Sequence, residues 1–356
     1  MPPVTFYPGP SKVYPQVREF MQDAYDAGVL SLNHRSSGFM DICRRATEGL
    51  QTKLAVPPGY AVLLVSSATE CWEIIAQSLT GTESFHASSG AFGEKWLEYG
   101  RRLRPRSTGY AFGLNEALQP EAVQVPDAAE VICLTQNETS NGTQVPVGII
   151  RRFKELHPHR LVAVDATSSL GGVALDFTAA DVWFASVQKC LGLPAGLGIL
   201  VCSPQALAQA GRLDDRAFYN SLLFVHENFR KFQTPYTPNV LGIYLLSRVV
   251  DLIEPIGPTG SRLERQAAEW YAFLGQVPGL QPLVRNAAVR SDTVIAVEAS
   301  PGIIVHLKEG AKREGIALGP GYGAWKETTF RIANFPALTA EEIGLLRNFL
   351  RNTRRG

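Results

Sequence analysis

Two side chains with complementary chemistry each close an apolar run. Lys189 follows Asp181–Gln188, a stretch rich in strand-forming residues, and a small, flexible segment from Cys190 to Gly198 comes after it. Asp165 ends the run Leu161-Val162-Ala163-Val164, about one strand–connection–strand unit upstream. An amine that can condense with an aldehyde and an acid that can hold a ring nitrogen protonated are what pyridoxal phosphate asks of a protein. The amine must be neutral near pH 7, so Lys189 is expected to be buried with a lowered pKa. For Asp165 the competing reading is turn formation, because Asp-Ala-Thr-Ser is good turn chemistry.

A phosphate needs backbone N–H groups at a helix N-terminus. Ser66-Ser67-Ala68-Thr69-Glu70 follows a strand and opens a helix, which makes Ala68 and Thr69 candidate phosphate contacts. Serine before a helix is also an ordinary N-cap. Phe92, within Ser88–Gly93, is the candidate ring to lie over a pyridine face, with core packing as the alternative. Gln188 is a candidate hydrogen-bond partner for the phosphate or the ring oxygen. The glycines 192, 196 and 198 sit between two strands with no helix to open, so they do not form a nucleotide loop.

These residues need a scaffold of alternating strands and helices. Strands are expected at Val62–Val65, Val131–Thr135, Leu161–Val164, Val182–Ala185 and Gly198–Cys202, with helices at Glu70–Leu79 and Val147–Leu156. Continuous apolar strands between helices imply a sheet covered on both faces, hence α/β architecture. Ligands collect at the carboxyl ends of such strands, where Ser67, Thr139, Asp165 and Lys189 fall. After about residue 240 the texture changes. A helix is expected over Val240–Leu252, broken by Pro255-Ile256-Gly257-Pro258, with another from Arg262. Thr293–Val297, Ile303–Arg313, Phe330–Ala333 and Ala340–Arg351 then read as strand, helix, strand and helix. The expected division is an extended N-terminal arm (1–15, with Pro8, Pro10 and Pro15) laid over the surface, a large cofactor-binding domain (16–240) and a small C-terminal α+β domain (241–356).

The 356 residues carry 34 basic and 33 acidic side chains, a net charge of +1, so no global charge favours nucleic acid or a membrane surface. Basic clusters at Arg101–Arg106 and Arg351–Arg355 read as solvated faces. The five cysteines (43, 71, 133, 190, 202) include no C-x-x-C pair, which argues against a disulfide framework or a zinc site; no metal is expected. Neither a signal peptide nor an apolar run long enough for a membrane helix is visible, and the expected location is the cytoplasm.

Taken together, Ser186-Val187-Gln188-Lys189 with Gly196-Leu197-Gly198, Val164-Asp165-Ala166-x-Ser168-Ser169 and Phe330-Arg331-Ile332-Ala333 resemble the signatures of class V aminotransferases of the fold-type I pyridoxal phosphate family. The similarity extends over nearly the whole chain. It implies a large domain with a mainly parallel seven-stranded sheet and a smaller C-terminal α+β domain. Within the class, Phe6-x-Pro8-Gly9-Pro10, Asn33-His34-Arg35-Ser36-x-x-Phe39, Asn137-Glu138-Thr139 and Gln233-Thr234-Pro235-x-Thr237-Pro238 are similar to the phosphoserine aminotransferase branch. That likeness implies that Thr139 touches the cofactor. It implies a homodimer in which Gln233 and Thr234 reach the phosphate of the neighbouring cofactor. His34 and Arg35 would hold the distal acidic group of the substrate, and Arg331 would clamp its α-carboxylate as a fork. Lys189 would move the substrate α-proton while Asp165 holds the ring nitrogen.

Two departures stand out. The branch's Gly-rich phosphate loop is Ser-Ala-Thr here. Its His-Arg pair before the C-terminal arginine is replaced by Gly321-Tyr322-Gly323-Ala324-Trp325-Lys326, which is similar to the alanine–glyoxylate and serine–pyruvate branch. Transamination between glutamate and 3-phosphohydroxypyruvate is therefore the first expectation, and alanine– or serine–glyoxylate transamination the second. A cysteine desulfurase would need a cysteine in the C-terminal third, and the last is Cys202. A non-catalytic pyridoxal phosphate-binding regulator would carry an appended DNA-binding module or lack the lysine.

Overall fold

The structure, a computed structural model, describes residues 3–352. The basic run noted at the C-terminus lies outside the described residues from position 353 on, as do the first two residues of the arm. In chain order the first half comprises β1 (Val4–Phe6), α1 (Val17–Asp26), α2 (Ser37–Lys53), β2 (Ala61–Val65), α3 (Ala68–Ser78), β3 (Ser84–Ser88), α4 (Ala91–Leu103), β4 (Thr108–Ala111), β5 (Val131–Thr135), a small ribbon of β6 (Asn137–Glu138) and β7 (Thr143–Gln144), α5 (Val147–Leu156), β8 (Leu161–Asp165), β9 (Val182–Ser186) and β10 (Gly198–Cys202). The second half adds α6 (Pro204–Leu213), α7 (Leu222–Phe229), α8 (Val240–Leu252), α9 (Ile256–Leu274), β11 (Gln281–Pro282), β12 (Val294–Glu298), α10 (Pro301–Arg313), β13 (Ile316–Pro320), β14 (Thr329–Ala333) and α11 (Ala340–Asn352).

Seven strands form one sheet in the order β2-β10-β9-β8-β5-β3-β4. All its neighbour pairs are parallel except those of β10, which runs antiparallel to both β2 and β9. Strands β5, β8, β9 and β10 are buried along their whole length, because helices cover both faces. Register places Thr135 beside Asp165 and Asp165 beside Phe184. The last residues of β5, β8 and β9 therefore share one edge of the sheet. The second sheet, β1-β13-β14-β12-β11, has its own core around Trp270, Phe330 and Phe335.

Three expectations are corrected. The arm is only partly a surface feature: Tyr7, Pro10 and Pro15 are exposed, but β1 pairs in parallel with β13, and Phe6 is fully buried in the smaller core. Its backbone needs those ladder bonds once Phe6 is inside. The helix expected from Arg262 starts at Ile256, since Pro258 falls in the first turn, where a missing N–H leaves no intrahelical bond unmade. Finally, α8 does not join the smaller core. It packs on α2, and its Ile243, Leu246 and Val249 belong to the core of the larger sheet.

Candidate active site

The carboxyl edge of the large sheet opens into a cavity of about 250 Å³. Gly9, Pro10, Ala68, Thr69, Trp72, Phe92, Thr135, Asn137, Thr139, Asp165, Thr167, Ser186, Gln188 and Lys189 line it. Seven of the residues singled out in the sequence thus converge: Ala68, Thr69, Phe92, Thr139, Asp165, Gln188 and Lys189.

Lys189 emerges from the loop between β9 and β10. Its neighbour Cys190 is packed into the smaller core, so the lysine is anchored between the two sheets. Its Nζ donates to the carbonyl of Pro8 at 2.6 Å. Burial, reinforced by the positive charge of Arg331, lowers its pKa to about 8, against the pull of Asp165. Asp165 is pushed the other way. Burial raises its pKa, while donors from Thr167 and Trp72 and the charge of Lys189 restrain the rise. Each carboxylate oxygen has one donor: the Thr167 N–H on Oδ1 at 2.9 Å and the Trp72 indole N–H on Oδ2 at 3.2 Å.

Two helix N-termini flank the cavity. At α3, the Ser67 hydroxyl accepts from the Glu70 N–H at 3.1 Å and the Glu70 carboxylate accepts from the Ser66 N–H at 2.6 Å, a reciprocal arrangement close to a capping box. The Ala68 N–H is held by the Ser186 hydroxyl at 2.8 Å, which ties the helix start to the end of β9. Gly198 lets this happen: a Cβ there would sit 2.6 Å from the Ser67 carbonyl carbon. At α4, the buried Glu138 carboxylate accepts from the N–H groups of Phe92 and Gly93, both at 3.1 Å. The Phe92 ring packs against Tyr322, with centroids 5.3 Å apart.

Thr139 hydrogen-bonds the Ser168 hydroxyl at 2.9 Å, and Asn137 donates to the same oxygen at 2.7 Å. Arg331, on β14, is 7% exposed, and burial lowers its pKa to about 10. Its guanidinium donates to the carbonyls of Pro320 at 2.8 Å and Thr139 at 2.7 Å, and among the described residues it has no ion-pair partner.

The remaining candidates are not in this cavity. His34 is half-buried and Arg35 exposed, both ahead of α2. Arg35 Nη1 donates to Gln233 Oε1 at 3.0 Å. Thr234 is buried, donates to the Tyr236 carbonyl at 2.6 Å, and lines a separate hollow with Ser66, Gly196 and Tyr219. Arg35, Gln233 and Thr234 form a cluster of their own rather than a wall of the Lys189 cavity, and His34 does not line that cavity either.

Trp72, Thr135, Asn137, Thr167, Ser186 and the Gly9-Pro10 pair were not singled out as parts of this cavity. The signal for Trp72 was its place one helical turn beyond Ala68, on the same face. Thr135 and Ser186 follow from register, since they end strands adjacent to the one that ends in Asp165. All five cysteines are free and buried. Among the described residues, no helix is long and apolar enough to cross a membrane, and no group of His, Cys, Asp and Glu could hold a metal.

A lysine and a carboxylate converging at the carboxyl edge of a mainly parallel sheet, beside a helix N-terminus, agree with the motif reading. The class V aminotransferase family model matches residues 5–324, and the chain belongs to that family: it is an aminotransferase with the fold-type I architecture. A crystal structure of a phosphoserine aminotransferase from Cytophaga hutchinsonii superposes with a TM-score of 0.93 at 35% identity, covering 99% of each chain. The phosphoserine aminotransferase of Rhodococcus opacus is 27% identical over 95% of this chain and 91% of its own length. That of Corynebacterium glutamicum is 29% identical over 94% and 90%.

Proposed function

We propose that this chain is a pyridoxal phosphate-dependent transaminase that exchanges the amino group between glutamate and 3-phosphohydroxypyruvate, a step in serine biosynthesis. The observation that carries the reading is the cavity shared by a buried amine and a buried carboxylate, with a buried guanidinium, hydrogen-bonded to the carbonyl of the lining residue Thr139 and without an ion-pair partner among the described residues, beside it. The likeness to phosphoserine aminotransferases over the whole chain supports the choice of substrate.

The lining suits the cofactor. Thr135 Oγ1, Thr167 Oγ1 and Gln188 Oε1 are buried without hydrogen-bond partners among the described residues, an arrangement that favours a polar occupant. Ala68 and Thr69, at the start of α3, would hold the phosphate. Asp165 would face the ring nitrogen, whose positive charge would offset the burial that raises its pKa. Lys189 would carry the covalent link. When bound, pyridoxal phosphate supplies an electron-withdrawing ring that accepts the charge left when a Cα–H bond breaks.

The chain's own groups do the rest. Lys189, its pKa lowered to about 8, holds a far larger neutral fraction at physiological pH than an ordinary lysine does, and takes up the substrate Cα proton. Arg331 receives the α-carboxylate as a two-pronged partner without leaving its carbonyl anchors on β13 and on the segment after β6. Phe92 covers the ring. The arm, with Pro8 against Lys189 Nζ, keeps water from the amine. Gln233 and Thr234 would reach the phosphate, and His34 and Arg35 the distal acid, from a second copy of the chain. Their position outside the Lys189 cavity of their own chain supports a shared, homodimeric site.

A second reading, alanine– or serine–glyoxylate transamination, is favoured by the Gly321–Lys326 stretch, where the His-Arg pair is missing. Adding phosphoserine and alanine separately to the purified holoenzyme separates the two. Bleaching of the bound-cofactor absorbance by phosphoserine supports the first reading; bleaching by alanine alone overturns it.

A further inference from the structure

Tyr322 stands where three groups meet. Its ring packs on Phe92, a wall of the cavity. The Arg331 guanidinium lies 5.5 Å from its centroid and Lys95 Nζ lies 5.3 Å from it. Lys95 Nζ also donates to the Tyr322 hydroxyl at 2.6 Å and sits 5.7 Å from the Phe92 centroid. Because that hydroxyl oxygen accepts from the ammonium, its own O–H is left to donate elsewhere. Neither Lys95 nor Arg331 is in an ion pair among the described residues. The nearby acid Glu138 is engaged by the first-turn amides of α4 and by Ser140. One ring thus separates a buried cation from an exposed one, beside the cavity, with no carboxylate bound to either.

We propose that Lys95 and Tyr322 form the part of the site within this chain that reads a second acidic group on the substrate, so that amino acids with an anionic side chain are selected over neutral ones. This rests on the transaminase reading above and deepens it. With the α-carboxylate on Arg331, a side-chain carboxylate or phosphate reaches across Tyr322 to an ammonium and a hydroxyl donor. Lysine acts here as a point charge and does not require a planar partner, so it serves a carboxylate and a phosphate alike. A neutral side chain gains nothing from either group and leaves the ammonium in water. Lys95 and Tyr322 are specificity residues in this account; they take no part in proton transfer.

The test is titration of the holoenzyme with phosphoserine, glutamate and alanine, following bound-cofactor absorbance and then steady-state KM and kcat. Lys95→Met is expected to weaken binding of both acidic donors about tenfold, with kcat within about twofold, and to move alanine by less than about twofold. Tyr322→Phe weakens the acidic donors by a smaller factor, and Lys95→Arg restores most of the preference. Raising salt narrows the acidic-to-neutral ratio in the wild type and has less effect in Lys95→Met. An equal change for all three donors, or none for the acidic pair, overturns the proposal. The wild-type arm reads the functional assignment separately. Refusal of phosphoserine with acceptance of glutamate sinks the phosphoserine assignment, while the Lys95 variants with glutamate still decide the present point. Refusal of both acids overturns both.

Discussion

Lys189 is an expensive residue for the cofactor-free protein. Above pH 10.5 it is neutral in folded and unfolded chains alike. As pH falls the unfolded chain takes up the proton first, and the folded chain follows only near pH 8. The cost of the buried amine is therefore absent above about 10.5 and complete below about 8. Cofactor-free Lys189→Met should be more stable than the parent at pH 7, by up to about 3 kcal/mol, with the difference closing as pH rises through that window. Thermal melts at a series of pH values check this, and a pH-independent difference would contradict it. Trp72 is a second residue with a definite task. Its indole N–H holds one oxygen of Asp165, and a hydrogen bond to a charged group is worth about 1.5–3 kcal/mol. Trp72→Phe keeps the ring and removes the donor. Affinity of the cofactor-free protein for pyridoxal phosphate should fall about tenfold, measured by absorbance titration, and Trp72→His should recover part of it. An unchanged affinity would show that Asp165 does not need this donor.

At the scale of elements, the carboxyl edge of the sheet depends on close approach between backbones. Gly198 begins β10 directly against Ser67, the N-cap of α3. Overpacking of this kind costs about 1–3 kcal/mol. Gly198→Ala should lower the melting temperature by several degrees and weaken cofactor binding together, because the displaced element is the helix start. A lower melting temperature with undiminished cofactor affinity would mean that the start of α3 is not a phosphate contact. These elements were unevenly legible in the sequence. Strands β5, β8, β9 and β10 announced themselves because burial on both faces makes them continuous apolar runs. Strand β4, Thr-Gly-Tyr-Ala at the sheet's edge, has no such run and alternates half-buried and exposed residues. The start of α9 was hidden by Pro258, which reads as a breaker until its first-turn position is known. Asp165 and Lys189 could be read from local pattern, since Asp165 ends a strand and Lys189 follows three residues after one. The Trp72–Asp165 hydrogen bond and the return of Pro8 to Lys189 could not, because each joins segments far apart in the chain and is fixed only by packing.

The whole molecule raises the question of what a single chain leaves undone. Arg35, Gln233 and Thr234 form a cluster of their own next to the site, and Tyr25 and Tyr219 expose large rings at 71% and 64%. If a second copy supplies His34 and Arg35, activity must survive when the two defects sit on different chains. Arg35→Ala and Lys189→Ala proteins, each feeble with acidic donors alone, should regain up to about a quarter of wild-type activity after mixing and subunit exchange, since random pairing makes half the dimers mixed, with one intact site each. No gain on mixing, with exchange verified by mass, would place the whole site within one chain. The claim beneath all of this is that the Lys189 amine carries the cofactor. Borohydride reduction of the holoenzyme followed by peptide mass mapping tests it most directly. The account predicts one reduced pyridoxyl phosphate adduct, on the peptide containing Lys189. An adduct on a different lysine, or none at all with the cofactor demonstrably bound, would contradict it.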